Sequence, residues 1–503
     1  MRQRMQRLIS SIVLCAILAA SLTVPASAAK FTDVPSTHWA AASIERCVEL
    51  KFFQGETASR FGLGHQMTRS AFVVVMCRFF GWETEKPTRV TYADVPVDAW
   101  YAGAVEAAYA NGALTDQNSA FRPSDPITRE ELAVMLVRAL GYSTIAGLVQ
   151  DLPMPFQDVQ TNVGYITMAY DLGLVDGTTA TTFSPEKTAT REQVAVILMR
   201  LYDKLHAAAP GKVGIVSSAE ELGDLTGFEA VAISAGRLIG SGSSKINTTM
   251  KEEEAAGVQE SVRQAGAKAL LYIIGGPTAL NGTPSEIAAV LAEAVRNGGY
   301  DGLFLDIAKL KGDKELTMTR LMQALKPLLG DKLLYLVVEA PAWQGTVYDG
   351  YDYGALGKYV DRMVLRVASH ESATGTFPTS PIEPLEELYY ALGEMQGKVD
   401  AAKLSLLMTT TGTTWTDGKK SGTMSSAEIA AVLENKDTED YYSNRYACAY
   451  LSGKNEDNKT LVVWYLNMRA AAERVQMLRC FGVNQVCLTD LQSASVELIM
   501  GLR

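Results

Sequence analysis

A segment of about sixty residues occurs three times in the first part of the chain, and this repetition constrains the fold more than any other feature. Each copy opens with an Asp-Val pair and carries a Thr-Arg pair 32 to 35 residues later. The opening pairs are Asp33-Val34, Asp94-Val95 and Asp158-Val159, and the later pairs are Thr68-Arg69, Thr128-Arg129 and Thr190-Arg191. A unit this short cannot bury its own apolar face, so the three copies are expected to pack together.

The second copy shows the predicted local structure most clearly. Apolar residues at helical spacing follow Trp100, and Asn111-Gly112 ends that helix. After a loop, Thr128 and Glu131 form the Thr-x-x-Glu pattern of a capping box, which predicts the start of a second helix. The third copy has Thr190 with Gln193, whereas the first has Ala71 where the box needs an acid or amide.

The Asp-Val-Pro openings, the aromatic residue six positions later and the Ile-Thr-Arg-Glu run of the second copy resemble surface-layer homology (SLH) modules. The resemblance implies an all-α, pseudo-threefold helical bundle whose grooves bind pyruvylated secondary cell-wall polysaccharide. The predicted boundaries are 30–88, 89–150 and 151–206 for the three modules, followed by a linker at 207–211.

The chemistry of such a ligand suits the repeated residues. A pyruvate ketal carries a carboxylate, which the planar fork of an arginine matches, and a helix start adds free N–H groups and a favourable dipole. Tryptophan adds a flat apolar surface. The predicted ligand-binding residues are Asp33, Trp39, Arg69, Asp94, Trp100, Arg129, Asp158 and Arg191.

Two alternatives stay open for these residues. The arginines could cap helices or form local salt bridges, and the aspartates could only cap turns. The copies are also unequal, since the third has Gly164 where the other two have tryptophan.

The N-terminus predicts export. Residues 1–28 combine a basic start, an apolar run and an Ala-Ser-Ala cleavage site, which is typical of a signal peptide. The alternative is a membrane anchor, although the run is short for one, and no later stretch reaches spanning length. Removing three arginines and no acid changes the formal net charge from −10 to −13, which disfavours nucleic acid as a partner.

Cysteine and histidine usage predicts no metal and no cofactor. The five cysteines after the signal form no CxxC pair, and the chain has only four histidines, so a zinc site is not expected. Cys47 and Cys77 could form a bridge inside the first copy, or both could be buried free thiols.

From residue 212 to 503 the pattern changes to strands alternating with helices. Eight short apolar runs predict buried strands, and segments such as Pro284–Asn297 predict helices between them. About 290 residues of such units favour a single (β/α)8 TIM barrel, with an open doubly wound sheet as the alternative.

Gly299 to Asp306 resembles the fourth-strand signature of glycoside hydrolase family 18, and Val463-Trp464-Tyr465 resembles the approach to the last strand in its peptidoglycan-acting members. The family motif runs Asp-Gly-x-Asp-x-Asp-x-Glu. Here Phe304 replaces the middle Asp and Ala308 replaces the Glu that the resemblance makes the proton donor. Arg366 to Ser369 replaces the Met-x-Tyr-Asp run, and Thr489 replaces the tryptophan that floors the sugar site.

Relocated acids could restore hydrolysis. Glu339 follows the fifth predicted strand, and with Asp306 it would make a carboxylate pair at the carboxyl-terminal face of the barrel. The alternative is that Glu339 is an ordinary polar residue at a strand end and Asp306 a structural remnant. Aromatic residues that could stack on sugars, or only pack, follow Glu339: Trp343, Tyr348, Tyr351 and Tyr353.

These observations favour an exported protein held on wall polysaccharide by its modules, with a barrel that binds peptidoglycan or another glycan, or is structural, without hydrolysing it. A wall-anchored hydrolase of N-acetylglucosamine-containing glycan and a surface-layer lattice subunit are the alternatives.

Overall fold

The computed structural model describes residues 31–115, 120–218, 222–241, 243–370 and 379–503. The predicted signal at 1–28 lies outside these residues. The chain forms two compact units, which we call the repeat unit (up to residue 139, with 184–200) and the barrel unit (140–183, with 201–503). Among the described residues, none of the helices combines the length and apolar character needed to cross a bilayer.

The repeated region is helical, as predicted. The repeat unit contains both helices of the first copy and both helices of the second copy. From the third copy it contains only the start of the second helix. These helices are α1 (Ala41–Glu49), α2 (Arg69–Phe80), α3 (Ala102–Ala110), α4 (Arg129–Ala139) and, after two helices of the barrel unit, α7 (Arg191–Leu205).

A closed ring of backbone hydrogen bonds links the three copies just before their second helices. Met67 N–H donates to the carbonyl of Ala189 (3.0 Å), Ala189 N–H donates to Ile127 (2.9 Å), and Ile127 N–H donates to Met67 (2.8 Å). All three side chains are buried. Each copy therefore needs the other two to satisfy its own backbone polar groups.

The predicted capping box is confirmed in the second copy. Glu131 N–H donates to Thr128 Oγ1 (3.2 Å), and Thr128 N–H donates to Glu131 Oε2 (3.0 Å). In the first copy Thr68 Oγ1 still accepts from the Ala71 N–H (3.2 Å), although Ala71 cannot complete the box.

The expectation that the helix starts offer free N–H groups to a ligand is wrong at their first residues. The Arg69 N–H donates to the carbonyl of Asp125 (2.9 Å), and the Arg129 N–H donates to Lys187 (2.9 Å). The Arg191 N–H donates to His65 (3.0 Å). Each helix start is thus occupied by the loop of another copy, because buried donors must find an acceptor.

Two further helices belong to the barrel unit: α5 (Ser143–Leu148), at the end of the second predicted module, and α6 (Val163–Asp171), the first helix of the third copy. They pack closely at Gly164, where an ideal Cβ atom would lie 1.9 Å from the Ala146 carbonyl oxygen. Only glycine fits there, as at Gly103, the second residue of the corresponding helix of the second copy, where an ideal Cβ would lie 2.4 Å from the Glu85 carbonyl oxygen. Gly164 therefore matches Gly103 and not Trp100. The end of α6 contacts a barrel helix, since Tyr389 Oη donates to Asp171 Oδ2 (2.6 Å).

The barrel prediction is confirmed, with parallel strands at all eight predicted positions. The barrel strands are β1 (Gly211–Val216), β2 (Phe228–Ser241), β4 (Lys268–Gly275), β5 (Gly302–Ile307), β6 (Leu333–Glu339), β7 (Arg362–Arg366), β8 (Leu404–Met408) and β14 (Gln485–Leu488). Strand β1 pairs in parallel with both β14 and β2, which closes the sheet. The open doubly wound sheet is therefore wrong.

Helices pack around these strands, and the predicted helix Pro284–Asn297 is confirmed. The helices of the barrel unit after α7 are α8 (Glu252–Gln264), α9 (Pro284–Asn297), α10 (Glu315–Leu329), α11 (Tyr353–Leu356), α12 (Leu385–Met395), α13 (Ser426–Leu433), α14 (Met468–Phe481) and α15 (Val496–Met500). Inside the barrel Phe304 is fully buried, with its ring centroid 5.4 Å from that of Tyr272 and 5.9 Å from that of Tyr335.

Two β elements were not predicted. Strand β3 (Ser243–Thr248) forms a hairpin with β2, and a five-stranded antiparallel sheet lies between the last two barrel strands in the sequence. The sheet consists of β9 (Gly412–Thr416), β10 (Lys419–Met424), β11 (Glu439–Ser443), β12 (Cys448–Lys454) and β13 (Thr460–Tyr465). One face packs on α13 through Ile429, Leu451 and Val463.

The alternative of a bridge between Cys47 and Cys77 is wrong, since both are buried free thiols. Cys47 Sγ donates to the Ala195 carbonyl (3.5 Å), and Cys77 Sγ donates to that of Ala104 (3.3 Å). Burial raises the pKa of each thiol to about 12, so both stay protonated and unreactive near neutral pH.

Gly164→Ala should destabilise the barrel unit by about 1–3 kcal/mol, because its Cβ overlaps the Ala146 carbonyl oxygen. Gly147→Ala is the matched control, since an ideal Cβ there has nothing within 4 Å. It should be neutral or stabilising by up to about 1 kcal/mol. Urea unfolding of both variants measures the difference in the free energy of unfolding, and equal midpoints would contradict this account of the close approach at Gly164.

Candidate functional site

Three adjacent barrel strands end in charged residues at the carboxyl-terminal face. Asp306 is near the end of β5, and Glu339 and Arg366 are the last residues of β6 and β7. Arg366 Nη2 forms an ion pair with Asp306 Oδ2, and its Nη1 lies 3.1 Å from Glu339 Oε1. The structure thus brings together the two predicted carboxylates, with one arginine bridging them.

Both carboxylates are buried and have further partners. Tyr272 Oη donates to Asp306 Oδ2 (2.9 Å), and the Lys309 N–H donates to Glu339 Oε1 (3.1 Å). Burial acts to lower the pKa of Arg366, but the two carboxylates outweigh it and raise that pKa. Burial and the Asp306 charge raise the pKa of Tyr272, so the phenol stays protonated. The cluster carries one positive and two negative charges.

Each carboxylate of the predicted pair has the Arg366 guanidinium as a partner. A general acid must be protonated to donate, whereas an arginine binds the ionised form of a carboxylate. At the position where the family motif has its acid, Ala308 has only a methyl group, and its N–H donates to the Gly275 carbonyl (3.1 Å). Phe304 fills the barrel core where the motif has its middle carboxylate.

The rest of the barrel mouth is occupied by structural contacts. Thr489 directly follows β14, at the position where the resembling family has the tryptophan beneath the sugar. Its Oγ1 accepts a hydrogen bond from the Thr410 N–H (3.2 Å). The Tyr351 hydroxyl donates to the Ile307 carbonyl (2.8 Å), and that of Tyr353 donates to Glu339 O (2.9 Å). These two tyrosines therefore brace strand ends rather than stand free for stacking.

A buried acidic cluster beside this face was missed. Glu387 Oε1 lies 3.3 Å from His370 Nε2, and Glu386 lies next to both. The Glu387 carboxylate accepts the N–H groups of Trp343 (2.8 Å) and Gln344 (2.6 Å), which holds the loop after β6 in place. Acids in the first turn of α12 resemble an exposed helix start in sequence, so no signal distinguished them.

Burial raises the pKa of Glu386 to about 7 from an ordinary value of 4.5. Between pH 4.5 and 7 the folded protein then binds more protons than the unfolded chain, and stability falls as pH rises. We expect the unmodified protein to lose about 3 kcal/mol of unfolding free energy across this range, and Glu386→Gln to abolish this loss. Urea unfolding at pH 5 and pH 7 would measure it, and the same pH dependence in both proteins would contradict the assignment.

Among the described residues, no group of three or more His, Cys, Asp or Glu side chains is arranged to bind a metal ion.

In the repeat unit, two of the predicted ligand arginines hold loops of other copies. Arg69 Nε donates to the Phe121 carbonyl (2.7 Å), and Nη1 pairs with Glu131 (2.8 Å). Arg191 Nε donates to Phe61 O (2.9 Å) and Nη2 donates to Gln54 O (2.8 Å). Their side chains are only 9% and 13% exposed, so little of either guanidinium is open to a ligand. Arg129 is half-buried, and its backbone N–H donates to the Lys187 carbonyl of the third copy.

The predicted aspartates lie at loop turns in all three copies. Asp33 accepts three backbone N–H groups, from Phe61, Gly62 and Leu63, at 2.8 to 3.1 Å. Partial burial acts to raise its pKa, but these bonds lower it to about 2. Asp94 accepts from the Phe121 and Arg122 N–H groups, and Asp158 from that of Phe183. Turn capping, the alternative left open by the sequence, is the role that these contacts describe.

The two tryptophans contrast with these buried groups. Trp39 is 62% exposed and Trp100 is 69% exposed. Both indole rings are thus largely open to solvent.

Known family models match both the repeats and the barrel of this chain. Residues 30–73, 91–133 and 155–195 match the S-layer homology domain. Residues 253–486 match the glycosyl hydrolases family 18.

The curated relatives share only part of their length with this chain. An endoglucanase of Bacillus sp. (strain KSM-635) is 29% identical over 43% of this chain and 25% of its own length. An S-layer protein of Bacillus thuringiensis subsp. finitimus is 28% identical over 41% and 26%. The S-layer protein sap of Bacillus anthracis is 27% identical over 41% and 25%. The match thus spans about a quarter of each relative.

Solved structures support the barrel fold alone. A chitinase from Chromobacterium violaceum superposes with a TM-score of 0.50 at 16% identity, covering 58% of this chain and 99% of its own. A class V chitinase from Pseudomonas fluorescens Pf-5 gives the same score and identity, covering 59% and 100%.

Proposed function

The chain carries three S-layer homology domains and a glycosyl hydrolase family 18 domain and is an exported cell-surface protein; from this we propose that it is a wall-anchored glycan-binding protein that does not hydrolyse glycans. The repeats would bind secondary cell-wall polysaccharide without a covalent bond, and the barrel would bind peptidoglycan or another glycan, or serve as a structural head. The Arg366 bridge between Asp306 and Glu339 is the observation that supports the absence of hydrolysis.

The proposed wall ligand is pyruvylated polysaccharide, and the exposed rings of Trp39 and Trp100 support it. An exposed indole offers an apolar face to a sugar ring. The motif arginines would act mainly by shaping the loops, because the Arg69 and Arg191 guanidinium groups already bond to carbonyl oxygens.

The argument against hydrolysis is electrostatic. Family members need a protonated acid at the Ala308 position, and general acid catalysis contributes roughly 10²–10⁴-fold to the rate. The relocated pair Asp306 and Glu339 would have to release Arg366 before either could be protonated. Releasing it would take the shared cation from two buried carboxylates, which is costly.

The mature chain should sediment with purified walls, and the Trp39→Ala/Trp100→Ala double variant should bind about tenfold more weakly because stacking is lost. Trp415→Phe, in the antiparallel sheet of the barrel unit, is the matched control and should bind normally. Walls stripped of pyruvate by mild acid should not retain the protein. Undiminished binding to stripped walls would refute the pyruvylated ligand.

The mature chain should release no product from chitooligosaccharides or peptidoglycan between pH 4 and 8, with an active family 18 chitinase as the assay control. Ala308→Glu alone should not create activity, since Arg366 would still bind the neighbouring carboxylates. Turnover by the unmodified chain that disappears in Glu339→Gln or Asp306→Asn would establish the relocated-acid hydrolase instead.

The names of two relatives, both S-layer proteins, favour a lattice subunit as the second candidate. Ordered arrays of the mature protein in electron micrographs would support that role, and a monodisperse monomer at high concentration would oppose it.

A further inference from the structure

The antiparallel sheet of the barrel unit ends in two strands that have a neighbour on one side only. In the part of the chain that the structure describes, β10 pairs with β9 alone and β11 pairs with β12 alone. Residues 419–423 of β10 are exposed, as are Glu439, Asp440 and Tyr441 of β11. An open edge presents N–H and C=O groups that can pair with another strand.

The two edges carry opposite charges at the two ends of one row of residues. This row of directly opposed residues crosses all five strands, in the order Lys420, Trp415, Val462, Ser452 and Glu439. Residues that lie directly opposite one another in a sheet share one face and interact as neighbours. The row therefore begins at a lysine on the β10 edge and ends at a glutamate on the β11 edge.

The next row on the same face ends in an exposed aromatic ring. Trp464, Tyr450 and Tyr441 are directly opposed, with ring centroids 4.6 Å apart for the first two and 5.1 Å apart for the last two. Tyr441 is 41% exposed, and its hydroxyl donates to the Glu439 carboxylate. At the β10 edge this row ends at Thr423.

These charges select which two edges can meet. Two β10 edges would bring four lysines together, and two β11 edges would bring four acidic residues together, which like-charge repulsion disfavours. A β10 edge beside a β11 edge would instead place Lys420 next to Glu439 and Thr423 next to Tyr441. That pair would be parallel, because β10 and β11 each run in the same direction as β13.

We propose that strand β10 of one copy of this chain adds beside strand β11 of the next copy, so that their antiparallel sheets join into one. The contact is heterologous and leaves one open edge of each kind, so it continues from copy to copy. It does not depend on wall binding, and it gives the lattice candidate a defined surface.

The size of this contact predicts its strength. Strand β10 has six residues and β11 has five, which is short for an interface between proteins. The association should therefore be weak in dilute solution. Anchoring of many copies on one wall would strengthen it by raising their local concentration.

Sedimentation velocity of the mature chain over a concentration series tests this contact. The unmodified chain should associate without stopping at a dimer, and added salt should weaken the association because it screens the charge pair. Lys420→Glu and Glu439→Lys should each weaken it about tenfold, since each replaces an attraction by a repulsion. The double variant Lys420→Glu/Glu439→Lys should recover most of the association, because the pair is then reversed.

Lys419→Glu is the matched control, since it changes the net charge by the same amount on the same strand. Its row runs through Thr416 and Leu461 to Gly453 of β12 and has no partner on β11, so association should be unchanged. Circular dichroism checks that each variant is folded.

The outcomes separate this contact from the other proposals. A chain that stays monomeric at every concentration, or that stops at a dimer, would overturn the edge contact without bearing on wall binding. Full association of the folded Lys420→Glu and Glu439→Lys variants would also overturn it, and would leave the lattice candidate to another surface. A double variant that associates no better than the two single variants would show that Lys420 and Glu439 do not meet.

Discussion

The ring of backbone hydrogen bonds through Met67, Ile127 and Ala189 is the constraint on which the repeat unit depends. It makes each copy complete the backbone of another, so that the first N–H groups of the second helices are already paired. Arg69 and Arg191 extend this arrangement, because their guanidinium groups bond to loop carbonyls of other copies. The residues that make the repeat recognisable are for this reason largely structural. Trp39 and Trp100, by contrast, stay exposed.

The barrel shows how a fold persists while its site changes. Eight strands close into a cylinder around an apolar core, and Phe304 contributes to that core where the family motif has a carboxylate. Closure depends on parallel pairing and on packing, neither of which needs an acid at the mouth. The charged residues at the strand ends meet at Arg366, which contacts both carboxylates.

Much of this organisation was predictable because it has a period or a local signature. The strands of the barrel appear as short apolar runs, and the capping box of Thr128 and Glu131 is a contact between residues three apart. The antiparallel sheet was missed because its strands β9 and β10 are polar and short, so they carry no clear alternation. The buried cluster of His370, Glu386 and Glu387 was missed because acids at a helix start look the same in sequence whether they face solvent or the interior.

The sequence by itself determined the threefold repetition, the barrel and the presence of Ala308 where the resembling motif has a glutamate, since each is expressed in residue identity or spacing. Only the tertiary structure decided what the charged and aromatic side chains do. Arg69 and Arg366 have the same donor groups as any ligand-binding arginine, and their roles follow from which oxygen atoms the folded chain brings within reach. In the same way the need for glycine at positions 103 and 164 follows from the backbone carbonyls of Glu85 and Ala146, which the fold brings close to each. Such distances arise from long-range packing, which no local pattern encodes.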